Sequence, residues 1–161
     1  MRASVRTFFI YGKMICCGFG HRNIFKNISG QIDSAVICAI EKGCNIFYTG
    51  AMGDFDKLFS SAVRKAKLTY PYIKIICVKP YMTADINENK DYYEALYDDV
   101  IVPEEINGIH YKSAIKARNQ WMVDNSDIVI SYTVREYGGA YKALMYASKT
   151  GKDIVVISSN T

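Results

Sequence analysis

Short runs rich in β-branched and apolar residues alternate with longer stretches in which apolar residues recur every three or four positions. Residues 14–17, 45–49, 73–78, 100–102, 128–132 and 154–157 carry the strand signature. Between them, Ile28, Ile32, Val36 and Ile40 keep helical spacing before Gly43, and Leu58, Phe59, Ala62, Val63 and Ala66 mark a second helix. Residues 115–123 and 140–149 supply two more, the latter ending at Gly151. A strand that runs parallel to its predecessor is reached only by crossing the sheet, so this alternation predicts a doubly wound α/β domain. Its sheet is mostly parallel, with helices on both faces.

Two segments depart from the rhythm. Residues 1–13 precede the first strand and read as an N-terminal extension to a single domain over 14–161, with Met14 an alternative start. The connection 79–99 carries Tyr81, Tyr92, Tyr93 and Tyr97, with a short helix expected around 92–97. Two readings of it stand: a lid over a site, or a helical excursion that packs its tyrosines on the sheet edge.

The 161 residues, half of them apolar and only 3 of them proline, describe one folded core and exclude low-complexity or collagen-like chains. No apolar run approaches the roughly 18 residues of a membrane span, nor is there a signal-peptide core, so a cytoplasmic protein without a membrane partner is expected. Cys16, Cys17, Cys38, Cys44 and Cys77 lack any C-x-x-C spacing, which predicts buried reduced thiols and no metal site. A catalytic thiol at Cys16 or Cys17 is the alternative, although neighbours on a strand face opposite ways. Eight of the sixteen acids fall between Asp85 and Glu105 with one base, Lys90, which leaves 19 bases against 8 acids elsewhere. That remainder suits a polyanion, yet the bases form no aromatic-interleaved stripe, so nucleic acid ranks behind a smaller ligand.

Glycines mark where such a ligand would sit. In a parallel sheet, ligands bind beyond the carboxyl ends of the strands, where helix N-termini converge. Gly18 and Gly20 are expected in the loop after the first strand, Gly50 and Gly53 after the second, and Gly138 and Gly139 after the fifth. Gly43 and Gly151 read instead as helix C-caps. No Walker-type loop occurs, and Gly18-Phe19-Gly20-His21-Arg22 is not a dinucleotide fingerprint, so no cofactor is expected. Ile115, Arg118 and Met122 share a helix face, which places the Arg118 guanidinium in an apolar stripe where it needs a phosphate or an internal carboxylate. Arg22 has either a similar role or a solvated one. His21 and Asp56 are candidates for ribose contacts or proton transfer. Asp54 or Asp56 alternatively caps the helix that enters at Leu58, and His110 is either a loop histidine or part of the mouth.

Together these residues resemble the SLOG superfamily, relatives of the LOG phosphoribohydrolases and of the DprA Rossmann domain, and in particular its YpsA-like branch. The resemblance rests on Ile15-Cys16-Cys17-Gly18-Phe19-Gly20-His21-Arg22 and on Phe47-Tyr48-Thr49-Gly50-Ala51-Met52-Gly53-Asp54-Phe55-Asp56. It continues through Arg118-Asn119-Gln120-Trp121-Met122-Val123-Asp124, Ser126-Asp127-Ile128-Val129-Ile130 and Gly138-Gly139-Ala140-Tyr141. It implies a Rossmann-like sheet that binds a nucleotide, with Arg118 in the place of the LOG arginine and Gly138-Gly139 in that of its phosphate loop. It departs from LOG where Tyr141-Lys142-Ala143-Leu144-Met145 offers no glutamate after the glycines.

Binding or sensing of a nucleotide-derived ligand, of an ADP-ribose-like kind, is therefore the first expectation. Its ligand residues would be Gly18, Gly20, His21, Arg22, Gly50, Met52, Gly53, Asp56, Arg118, Asn119, Gly138, Gly139 and Tyr141. An N-glycosidic hydrolase or transferase using Asp56 or Glu136, and a DprA-like nucleic-acid module, are the alternatives. Relatives suggest a homo-oligomer.

Overall fold

The computed structural model describes residues 12–158, so the proposed extension lies almost wholly outside the described residues. Six strands form one all-parallel sheet: β1 (Ile15–Gly20), β2 (Ile46–Thr49), β3 (Lys74–Val78), β4 (Asp99–Ile101), β5 (Ile128–Tyr132) and β6 (Asp153–Val156). Their order is β4-β3-β2-β1-β5-β6. The chain winds outward from β1 to β4, then crosses back to lay β5 on the other flank of β1, and this reversal opens a crevice at the carboxyl ends of the central strands. Helices α1 (Ser29–Glu41) and α2 (Asp54–Lys67) follow β1 and β2. Short α3 (Ala84–Glu88) and α4 (Lys90–Leu96) precede β4, and α5 (Tyr111–Asp124) and α6 (Gly139–Lys149) flank β5. Among the described residues no helix is long and apolar enough to cross a membrane.

Strand alternation divides the core in two. Cys16 and Phe47 join Ile32, Val36, Phe55 and Phe59 of α1 and α2 on one face. Cys17, Phe19 and Tyr48 meet Met122, Val123, Ala143 and Ala147 of α5 and α6 on the other. Adjacent cysteines thus point to opposite layers, and burial holds both thiols protonated, with Cys17 pushed up to about 12. That removes the catalytic-thiol reading, since the thiolate is the nucleophile. Gly43 (φ 114°) and Gly151 (φ 72°) occupy the left-handed C-cap positions expected of them.

One correction concerns the first strand, and one open reading concerns the long connection. β1 runs through Gly20, so Gly18 and Gly20 are strand residues rather than loop residues. The connection 79–99 folds on itself: the Tyr93 hydroxyl donates to Asp85 at 2.7 Å and Lys79 lies 4.9 Å over the Tyr93 ring. Tyr97 packs on the core, where burial pushes its hydroxyl up to about 12. These contacts match the packed excursion.

Candidate functional site

A cavity of about 360 Å³ opens at the crevice. It gathers Gly18, Gly20, His21, Arg22, Gly50, Met52, Asp56, Arg118, Asn119, Gly138 and Gly139, eleven of the thirteen expected ligand residues. Gly53 and Tyr141 are not in its wall. Of the two candidate carboxylates, Asp56 lines it, while Glu136 is exposed and does not.

The three glycine pairs have three different uses. A β-carbon on Gly20 would sit 2.2 Å from Cγ of Phe55, and one on Gly18 2.9 Å from the Phe59 ring. The strand glycines therefore admit the stacked Phe55–Phe59 pair of α2, whose ring centroids are 5.8 Å apart. Gly50 and Gly53 admit arginines: a β-carbon would come within 2.9 Å of the Arg118 guanidinium at Gly50, and within 2.6 Å of the Arg22 backbone at Gly53. Gly138 differs, because its β-carbon would meet nothing within 4 Å, and its φ of 92° favours glycine on conformational grounds. It is the N-cap of α6. The first amide bonded back into that helix is Lys142 N–H, to Gly138 O at 3.0 Å, so the preceding amides are left for a partner outside the helix. The corresponding end of α2 is closed, since Asp54 N–H donates to Arg22 O at 2.9 Å.

Arg118 forms the cavity floor. Ala114, Arg118 and Met122 stack along the buried face of α5, and Arg118 is only 3% exposed. Its Nη1 donates to Val78 O at 2.7 Å and Gly50 O at 3.2 Å, tying together the ends of β3 and β2, while Nε donates to Asn119 Oδ1 at 2.9 Å. Nη2 meets the Met52 sulfur at 3.1 Å. Of the two partners foreseen for it, the carboxylate is absent: among the described residues no acid forms an ion pair with Arg118. The two-pronged phosphate grip is not available either, because the carbonyls and Asn119 consume Nη1 and Nε. What remains is Nη2, covered by a thioether, a weak acceptor.

Asp56 lies close enough for each group to influence the other. Burial pushes its carboxyl up, while the Met52 amide (2.7 Å to Oδ2) and the charge of Arg118 pull it back. Asp56 is thus engaged with the turn Gly50-Ala51-Met52-Gly53, in which Ala51 adopts a left-handed φ of 54°. Neither aspartate caps α2 through its side chain: Gly53 is the N-cap, and Asp54 accepts from Ile24 N–H at 3.0 Å. His110 caps α5 by accepting from Lys112 N–H at 3.3 Å, which makes it a loop histidine with a structural task.

His21 is buried, and its Nε2 accepts from Val134 N–H at 2.9 Å and Arg135 N–H at 3.3 Å, pinning the loop after β5 to the end of β1. Burial, then the charge of Arg135, lowers its pKa below the usual 6.5. The neutral ring is required, because protonated Nε2 cannot accept. Below pH 6.5 the unfolded chain takes up a proton that the folded chain resists, so stability should fall as pH drops from 6.5 towards the lowered value. Urea midpoints measured from about pH 7 to 5 should show this slope, and His21→Gln should flatten it.

Arg135, Tyr137, Phe19, Ile115 and Ala140 line the cavity without having been expected there. Arg135 matters most, since with Arg22 and Arg118 it sets three cations against the one acid Asp56. The signal available was its place in the loop that carries Gly138.

No protein-family model matches the sequence, and no curated protein matches it. Solved structures do. The chain is similar to DNA processing protein A (DprA) from Streptococcus pneumoniae, with a TM-score of 0.62 and 18% identity over 92% of this chain and 51% of that one. It is also similar to DprA from Helicobacter pylori, described for its single-stranded DNA binding mode, with a TM-score of 0.64 and 16% identity over 91% of this chain and 66% of that one. The chain spans about half the length of the first and just under two thirds of the second. At such identity the likeness establishes architecture, and the chain has the Rossmann-like α/β fold seen in DprA.

Proposed function

We propose that the cavity binds the phosphate of a nucleotide, as a binding or sensing module of the cytosol within the SLOG group, on its YpsA-like side. One observation carries the proposal: Arg22, Arg118 and Arg135 share a cavity with the unobstructed Gly138-Gly139 backbone at the start of α6. Positive side chains and free amides at a helix N-terminus together make an anion site. The nucleotide has two sources. Likeness to a DprA described for binding single-stranded DNA supports a nucleic-acid strand, and this reading has the stronger outside support. A walled cavity of about 360 Å³, near the lower end for small-molecule sites, supports a free nucleotide derivative of the ADP-ribose kind. Glycosidic cleavage has weaker support, because Asp56 is engaged by the Met52 amide and Glu136 lies outside the cavity.

Titrations with AMP, ADP-ribose and a labelled oligothymidylate separate these readings. Arg135→Ala is expected to weaken the bound class about tenfold, the loss of one charge-assisted contact. A strand ligand should also lose affinity steeply with salt. Released base would move the assignment to an enzyme. Indifference of every ligand to Arg135→Ala would refute the phosphate site.

A further inference from the structure

Beside the arginine cavity, and sharing Asn119 and the Gly138-Gly139 turn with it, a second cleft of about 490 Å³ lies between α5 and α6. Its chemistry is different. α6 buries Ala143 and Ala147, which turns Tyr141 and Met145, one helical turn apart, towards this cleft, with Met145 49% exposed. Lys116 from α5 and Lys142 from α6 stand at its walls, both exposed, and neither forms an ion pair with an acid among the described residues. An aromatic and thioether surface between two ammonium groups, continuous with an anion pocket, matches a base with its attached phosphate.

We propose that this cleft seats a second nucleoside of the ligand, so that the site recognises a dinucleotide unit rather than a mononucleotide. This rests on the nucleotide-phosphate reading of the first cavity. The base lies against Tyr141 and Met145, and Lys116 and Lys142 hold phosphate charge. Two sources have this chemistry: a phosphodiester-linked strand and a pyrophosphate-linked free dinucleotide.

The test compares thymidine monophosphate with 5′-phosphorylated dithymidylate, and AMP with NAD, on the full chain. In at least one pair the dinucleotide should bind roughly 5- to 100-fold more tightly, the range that stacking of one base supplies. Met145→Ala, which lines this cleft and not the arginine cavity, should erase most of that gain and leave mononucleotide affinity unchanged. A gain in the thymidylate pair identifies a strand, and a gain in the NAD pair a free dinucleotide. Mononucleotide binding with no dinucleotide gain, or a gain that survives Met145→Ala, overturns the proposal and spares the first cavity. A self-association abolished by Met145→Lys, again without a dinucleotide gain, overturns it in favour of a second copy in the cleft. If no mononucleotide or dinucleotide binds, the phosphate reading itself falls.

Discussion

Alanine at Gly20 is expected to cost about 3 kcal/mol of stability, the upper end for a buried small-to-large change. The new methyl would overlap Phe55 at both Cγ (2.2 Å) and Cβ (2.5 Å), so a ring flip cannot relieve the clash. Retreat of α2 is also resisted. Phe55 is fully buried, stacked on Phe59, and its helix start is tied to the β1 end by Asp54 N–H to Arg22 O at 2.9 Å. Gly18→Ala should cost less, because its new carbon approaches only ring-edge atoms, of Phe59 at 2.9 Å and of Phe55 at 3.0 Å. Urea midpoints give the comparison. The Gly20→Ala penalty should shrink sharply in a Phe55→Gly background, which removes both of the overlapped carbons. Equal penalties in both backgrounds would show that the glycine is needed for some other reason.

The strand and helix periods are local, so all six strands and the four longer helices were readable, including the opposed faces of Cys16 and Cys17. A glycine's purpose is not local. It depends on what approaches through space, and here that is Phe55, Phe59, Arg118 or Arg22, supplied by other elements. Glycine ordinarily weakens a strand, and here the close approach of α2 outweighs that and β1 runs on through Gly20. The burial of Arg118 was readable from its apolar stripe, but its carbonyl partners were not, because Gly50 and Val78 are 68 and 40 residues away in sequence. Arg135 was overlooked beside Gly138, although a cation in that loop was a visible cue.

Arg118→Met should combine loss of ligand with a stability deficit of roughly 3 kcal/mol, because it leaves buried acceptors without their charged donor. Val78 O and Gly50 O lose Nη1, the carboxyl ends of β3 and β2 lose their common tie, and the floor of the cavity becomes apolar. The pH dependence distinguishes this electrostatic role from simple packing. Burial already raises Asp56 above 3.8 and the Arg118 charge partly opposes that, so removal of the charge should raise it further. Between 3.8 and that raised value the folded chain binds more protons than the unfolded one, and stability therefore falls as pH rises. The deficit of Arg118→Met relative to wild type should consequently grow between acid and neutral pH. In an Asp56→Asn background, where nothing is left to titrate at that position, this growth should vanish while the carbonyl penalty remains. Arg118→Lys, which keeps the charge but loses the fork, should restore the wild-type pH profile more fully than the wild-type stability. A deficit of Arg118→Met that stays constant with pH while Asp56 is present would mean that Arg118 and Asp56 are not coupled.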